Sequence, residues 1–217
     1  MIDIISKRPS TLLSKQGMTP YCFEYGGYEI LVERDVFPPD LSASSLHLFD
    51  ILGNYKADCS LDMGCGTGIL AMQLSRNSVI TIAADNHMAA INNTNKNIIL
   101  NNINNIKIIH SNLYQKIQSN YIFDLIVFNH PYYPSKKNKN FGIDCTGGAC
   151  LIENFLLQSK EYLSNKTRII MPYSDFAGQE NNPILIAIKL GFSCVEVFKL
   201  KDKLGCHFVY ELKYVAS

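Results

Sequence analysis

The sequence predicts an α/β three-layer sandwich: a mostly parallel, seven-stranded sheet ending in an antiparallel C-terminal hairpin. Three features carry that expectation. From residue 59 onward, short β-branched segments alternate with helical ones almost without interruption, as in a parallel sheet covered on both faces. The stretch "LDMGCGTG" (61–68) closes the first of these strands and opens a helix. The last two strand-like segments are separated only by a turn, which fits antiparallel pairing.

The elements follow in order. "CSLDMG" (59–64) is a short apolar strand running into glycines, and "ILAMQLSR" (69–76) is a helix. "VITIAAD" (79–85) is a β-branched strand ending on an acid. "HMAAINNTNKNIILNN" (87–102) carries Met88, Ile91, Ile98 and Ile99 at helical spacing, but its asparagines are poor helix formers, so packing must hold it. The asparagine density at 92–105 reads as compositional bias in a solvent-facing helix and turn. "IKIIHSN" (106–112) and "YIFDLIVFN" (121–129) are buried strands. A loop with prolines, glycines and three lysines comes next.

"ACLIENFLLQSKEYLS" (149–164) is a helix with Leu151, Ile152, Phe155, Leu156 and Leu163 on one face, and "TRIIMPYS" (167–174) is a strand. The following helix is bounded by Asn182 as N-cap, Pro183 in its first turn and Gly191 after it. Segments 193–202 and 205–215 close the sheet. Upstream, "YCFEYGGYEILVERDVFPP" (21–39) suggests a β-hairpin turning at Gly26-Gly27, with the helix "SSLHLFDIL" (44–52) behind it. Two regions are expected: an extension over 1–58 and a sheet domain over 59–217.

Composition narrows the function classes. The chain has 217 residues, 47% hydrophobic and 18% charged, enough for a full core. A formal charge of +1 gives no overall basic character for sequence-independent grip on nucleic acid. The seven cysteines form no C-x-x-C pair and no zinc-ligand spacing, so reduced thiols in a cytoplasmic protein are expected, and no metal. No signal-peptide pattern and no membrane-length apolar run is present.

Gly64, Gly66 and Gly68 let the backbone turn tightly and approach a ligand, which would lie beyond the carboxyl ends of the strands. Asp85 ends the second strand 17 residues beyond Gly68, close to the offset of about 20 at which an acid meets ribose hydroxyls. Each feature alone has a plainer reading, a tight turn or a helix cap; their order on consecutive strands favours a ligand. The dinucleotide fingerprint fails, because the third glycine comes one residue early and Ile69 occupies the sixth place.

"LDMGCGTG" resembles the first motif of the Rossmann-like, class I S-adenosylmethionine-dependent methyltransferases. That resemblance implies S-adenosylmethionine as cofactor and S-adenosylhomocysteine as product. It places Asp62 near the cofactor's amino group, Gly64, Gly66 and Gly68 along the loop, Asp85 with its neighbour Asn86 at the ribose, and Asn112 beside the adenine. An asparagine at 112 could accept from the adenine amine without charge assistance.

After the fourth strand, Asn129-His130-Pro131-Tyr132 is similar to the (Asn/Asp/Ser)-Pro-Pro-(Tyr/Phe/Trp) tetrapeptide of methyltransferases acting on planar exocyclic nitrogens. Such a nitrogen has a delocalised lone pair and is a poor nucleophile. The resemblance implies that Asn129 and the His130 carbonyl accept its two hydrogens while Tyr132 stacks on its plane, so catalysis comes from orientation. Pro131 keeps His130 extended. Without a proline at 130, Asn129 is expected to be looser, or His130 to be recruited for a further contact, even as a proton acceptor.

"DVFPPDLSASSLHLFDIL" (35–52) is similar to the segment preceding the glycine motif in HemK-type release-factor glutamine methyltransferases. Phe37, Pro39 and Ser45 occupy corresponding places there, with Ser45 replacing Thr. In that family the segment helps to cover the cofactor. The family's N-terminal helical substrate domain has no counterpart in these residues, which leaves substrate recognition to another source, a partner subunit among them.

A protein or peptide Gln/Asn amide is therefore the first expectation for the substrate. An adenine amino group in RNA or DNA, a small molecule, or a non-catalytic subunit role are the alternatives. Lys136, Lys137 and Lys139 in the adjoining loop would suit a phosphate backbone, or simply a solvated loop face.

Overall fold

The computed structural model describes residues 19–41, 43–131, 148–202 and 205–215. Tyr132, Lys136, Lys137 and Lys139 lie outside the described residues. A hairpin of β1 (Tyr21–Tyr25) and β2 (Tyr28–Val32) turns at Gly26-Gly27, as expected, and leads through a short 3₁₀ turn to α1 (Ala43–Leu52). The alternating unit follows: β3 (Ala57–Met63), α2 (Ile69–Ser75), β4 (Ser78–Asp85), α3 (Met88–Leu100), β5 (Ile106–His110) and β6 (Phe123–Phe128). The chain closes with α4 (Gly148–Ser159), β7 (Leu163–Ser174), α5 (Pro183–Lys189), β8 (Phe192–Asp202) and β9 (Gly205–Tyr214).

The seven-stranded sheet has the order β5-β4-β3-β6-β7-β9-β8. Neighbours from β5 to β7 are parallel, and β9 runs antiparallel to both β7 and β8. Side chains alternate between two cores, as the pleat requires. On β6, Ile126 and Phe128 face the core under α4 and α5, whereas Leu125 and Val127 face the hairpin, α1 and α2. Two apolar faces explain the near-continuous hydrophobic runs of the central strands. The described part of the 1–58 extension shares a core with the sheet: Tyr28, Ile30, Val32, Leu48 and Phe49 pack with Ile69, Met72 and Val127. As expected, Asn182 caps α5, its side chain accepting from the Ile184 N–H at 3.0 Å ahead of Pro183 in the first turn.

The asparagine-rich helix departs from expectation. Met88 and Ile99, read as part of an apolar face, are 50% and 67% exposed, while Asn93 and Asn97 are fully buried. Asn97 accepts from the Leu31 N–H (2.8 Å) and donates to the Leu31 carbonyl (2.8 Å). Asn101 makes the same pair of bonds with Glu29 (3.0 and 2.8 Å). Asn93 accepts from the Glu33 N–H (2.9 Å) and donates to the Leu31 carbonyl (2.8 Å).

The spacing explains why this works. Four helical residues advance about 6 Å and two strand residues about 6.7 Å. Asparagines at i, i+4 and i+8 therefore meet alternate peptide groups of β2. Their amides replace the missing neighbouring strand, pairing the exposed to half-buried peptide groups along the outer edge of β2.

Candidate active site

β3 and β6 are where the strand order reverses, since β4 and β5 lie to one side and β7 to the other. Ligands in open α/β sheets bind at such a switch point, beyond the carboxyl ends of the strands. Met63 is paired with both Ala84 and Phe128, and Asp85 with His110. The glycine loop, Asp85, Asn112 and Asn129 therefore leave four adjacent strands at one edge.

The loop is held from beneath by α3. The Thr94 hydroxyl donates to the Gly66 carbonyl at 3.0 Å, and Asn97 donates to the Thr67 carbonyl at 2.8 Å. At Gly68 (φ +82°) an added Cβ would lie 2.8 Å from the Thr94 methyl, so only glycine permits this approach. At Gly66 (φ +57°) an added Cβ would meet nothing within 4 Å, so the loop's outer side borders open space. Gly64 turns the chain out of β3, its N–H donating to the Ala84 carbonyl. Sequence reasoning missed Thr94 and Asn97; the four-residue asparagine spacing was the available signal.

Asp85 accepts from the Gly66 N–H (3.0 Å) on one oxygen and the His87 N–H (2.9 Å) on the other. Each oxygen keeps a second lone pair, so the carboxylate can still accept from a vicinal diol. Asp62 is 1% exposed, and neither of its oxygens has a hydrogen-bond partner among the described residues. Burial pushes its carboxyl up to about 8; the nearby Ala71 N–H opposes this without making a well-formed bond, and Asp85 reinforces it. A buried, unpartnered acid beside an open glycine cradle suits a ligand carrying a cation.

Asn86 and Asn112 are both exposed. The Asn86 carbonyl is bonded to the His110 ring (3.0 Å), and the Asn112 carbonyl accepts from the Gln115 N–H. Phe37 is half-buried in the connection between β2 and α1, beside buried Val36 and Pro38.

Asn129 is half-buried directly after β6, and its Nδ2 donates to the Ser45 hydroxyl at 3.0 Å. His130 is buried, with Nε2–H donating to the Pro172 carbonyl of β7 at 3.0 Å and its ring edge-on to Phe128. Pro131 is half-buried. Burial pushes the His130 imidazole down to about 4, the Pro131 and Pro172 backbones offsetting part of the effect. A neutral ring committed to Pro172 is a brace, which argues against the proton-acceptor role.

This brace has a measurable pH signature. The unfolded chain takes up the His130 proton near 6.5, the folded chain only near 4. Stability is therefore retained above pH 6.5 and falls as pH drops toward 4, by ~3 kcal/mol if His130 acts alone. Denaturant unfolding at pH 7 and pH 4.5 should show a smaller difference for His130→Gln than for the wild type. Equal differences would remove His130 as the source.

Comparison with known proteins adds the following. The methyltransferase small domain family matches residues 28–203. A Methanocaldococcus jannaschii protein, provisionally named a protein N5-glutamine methyltransferase, is 25% identical over 165 residues, covering 72% of this chain and 81% of that one. Ribosomal RNA small subunit methyltransferase C of Buchnera aphidicola is 35% identical over 107 residues, 48% of this chain and 28% of that protein. This chain thus spans little more than a quarter of the ribosomal RNA relative. Among solved structures, the T. thermophilus 16S rRNA N2 G1207 methyltransferase, determined with AdoMet and guanosine, superposes with TM-score 0.66 at 19% identity over 90% of this chain and 50% of that one. A chain of the E. cuniculi Mtq2–Trm112 complex, responsible for methylating the termination factor eRF1, superposes with TM-score 0.62 at 16% identity over 83% of this chain and 99% of that one. These structures share the fold described above.

Proposed function

The chain belongs to the methyltransferase small domain family, and from that membership we propose that it methylates a planar side-chain amide, glutamine or asparagine, in a protein or peptide. S-adenosylmethionine is its methyl donor. Bound, that cofactor supplies an electrophilic methyl group on a sulfonium. The supporting observation is Asn129: it follows β6 at the switch point, its amide nitrogen tied to Ser45, and its Oδ1 is paired with no group among the described residues.

In this reading Asn129 Oδ1 and the His130 carbonyl accept the two hydrogens of the substrate nitrogen, aiming its lone pair. Tyr132 stacks on the amide plane. Asp62 takes the cofactor ammonium, Asp85 with Asn86 takes the ribose, and Asn112 takes the adenine edge. Phe37 and the extension cover them. The six cysteines among the described residues are all free, in keeping with a cytoplasmic protein. The two-protein assembly among the structural neighbours supports a partner subunit that presents the substrate.

A second reading is favoured by the ribosomal RNA relative: an exocyclic base nitrogen, which presents the same two hydrogens in a plane. Transfer of tritiated methyl from S-adenosylmethionine into separated protein, RNA and small-molecule fractions distinguishes them. Label in protein is the expected result; label in RNA alone replaces the first reading with the second.

Asp62 gives a cofactor-level test. With its carboxyl near 8 in the free protein, a cationic ligand favours its ionised form, so binding at pH 7 should release a proton. Affinity should rise with pH up to about 8, by up to ~10-fold per unit. Calorimetry in two buffers of different ionisation enthalpy measures the proton count. Zero protons with pH-independent affinity would rule out contact between Asp62 and the ammonium.

A further inference from the structure

We infer that Ser45 is a positioning residue that holds the Asn129 side chain in the rotamer facing the substrate; this rests on the reading of Asn129 as the substrate clamp. Only the Asn129 oxygen can hold a substrate N–H, so the side chain must keep a rotamer that aims it there. A half-buried asparagine left untethered samples other staggered rotamers.

Here the donor end is occupied. Asn129 Nδ2 donates to Ser45 Oγ at 3.0 Å, across 84 residues of sequence. Ser45 is 3% exposed, so water competes poorly for the bond. It sits in the first turn of α1, which is anchored through Leu48, Phe49 and Leu52 in the core shared with the sheet. The tether therefore runs from a rigid helix to the residue directly after β6.

The neighbouring position explains the need. Related tetrapeptides carry proline where this chain has His130, and that proline would restrict the backbone of Asn129. In its absence two side-chain bonds span the segment: His130 to the Pro172 carbonyl on one side and Asn129 to Ser45 on the other. The segment is held from both flanks, by β7 and by α1, and the expected looseness of Asn129 is removed.

The test compares Ser45→Ala and Ser45→Thr with the wild type, the threonine keeping the hydroxyl. Ser45→Ala should lower kcat by roughly 10- to 100-fold with KM for S-adenosylmethionine unchanged within about twofold. Ser45→Thr should restore kcat to within about threefold. Independently of substrate, the Asn129 side-chain amide signal, assigned by its disappearance in Asn129→Ala, should exchange with water at least ~10-fold faster in Ser45→Ala. Unchanged exchange, or unchanged kcat where Asn129→Ala is inactive, overturns the inference. If Asn129→Ala itself turns over like the wild type, the clamp reading has failed, and the positioning role with it, even if the bond to Ser45 is real.

Discussion

Replacing Asn129 with alanine should reduce methyl transfer by about 10²- to 10³-fold while leaving S-adenosylmethionine affinity within about threefold of the wild type. On the proposed reading, the change removes an acceptor that aims the substrate nitrogen's lone pair in the transition state. Its loss therefore appears in kcat. The cofactor contacts proposed for Asp62 and Asp85 lie on β3 and β4 and are untouched. Folding should suffer little, since a single half-buried hydrogen bond is lost, worth about 1 kcal/mol. Asn129→Asp is the informative companion: it keeps an oxygen toward the substrate and can accept from the Ser45 hydroxyl, so it should retain more activity than alanine. The check is single-turnover transfer of labelled methyl into whichever fraction the wild type labels. Equal rates for wild type and Asn129→Ala would remove Asn129 from the chemistry.

The largest expected effect on stability comes from a residue outside the proposed substrate clamp and cofactor contacts. Asn97→Leu keeps the shape but strands the Leu31 N–H, the Leu31 carbonyl's bond from Asn97 and the Thr67 carbonyl. Each buried orphan costs about 1–3 kcal/mol, and Asn93 still serves the Leu31 carbonyl. A net loss of about 3 kcal/mol is therefore expected, a large share of the 5–15 kcal/mol typical of a domain. The damage should be local as well. Hydrogen exchange should quicken in β2 and in the glycine loop before it does in the paired strands β3 and β6. By contrast, Ile99→Ala on the same helix should cost less than about 0.5 kcal/mol, because Ile99 is 67% exposed. Denaturant unfolding of both variants decides the matter. An Ile99 effect equal to that of Asn97 would mean the helix is held by its apolar side after all.

That contrast marks where sequence reading reached and where it stopped. The order of strands and helices was legible because burial on two faces imposes apolar runs and because glycine, proline and asparagine punctuate them, as at Asn182, Pro183 and Gly191. The glycine loop, Asp85 and the Asn129 tetrapeptide were legible as local motifs whose order follows from the βαβ connections. The asparagine helix was misread because a rule that looks for apolar stripes assigns its polar side to solvent. Its real partner, the edge of β2, is 60 to 72 residues away in the chain and becomes a neighbour only on folding.

By itself, then, the sequence determined the α/β class, the strand series, and which short segments would gather at the carboxyl edge of the sheet, because each depends on periodicity and turn chemistry within a few residues. Tertiary structure alone decided that asparagine amides would stand in for a β-strand, that His130 would be a neutral brace on Pro172, and that Ser45 would hold Asn129. Each of these is a hydrogen bond between groups distant in sequence. Its strength comes from burial, a property that no local stretch of sequence possesses until the layers close over it.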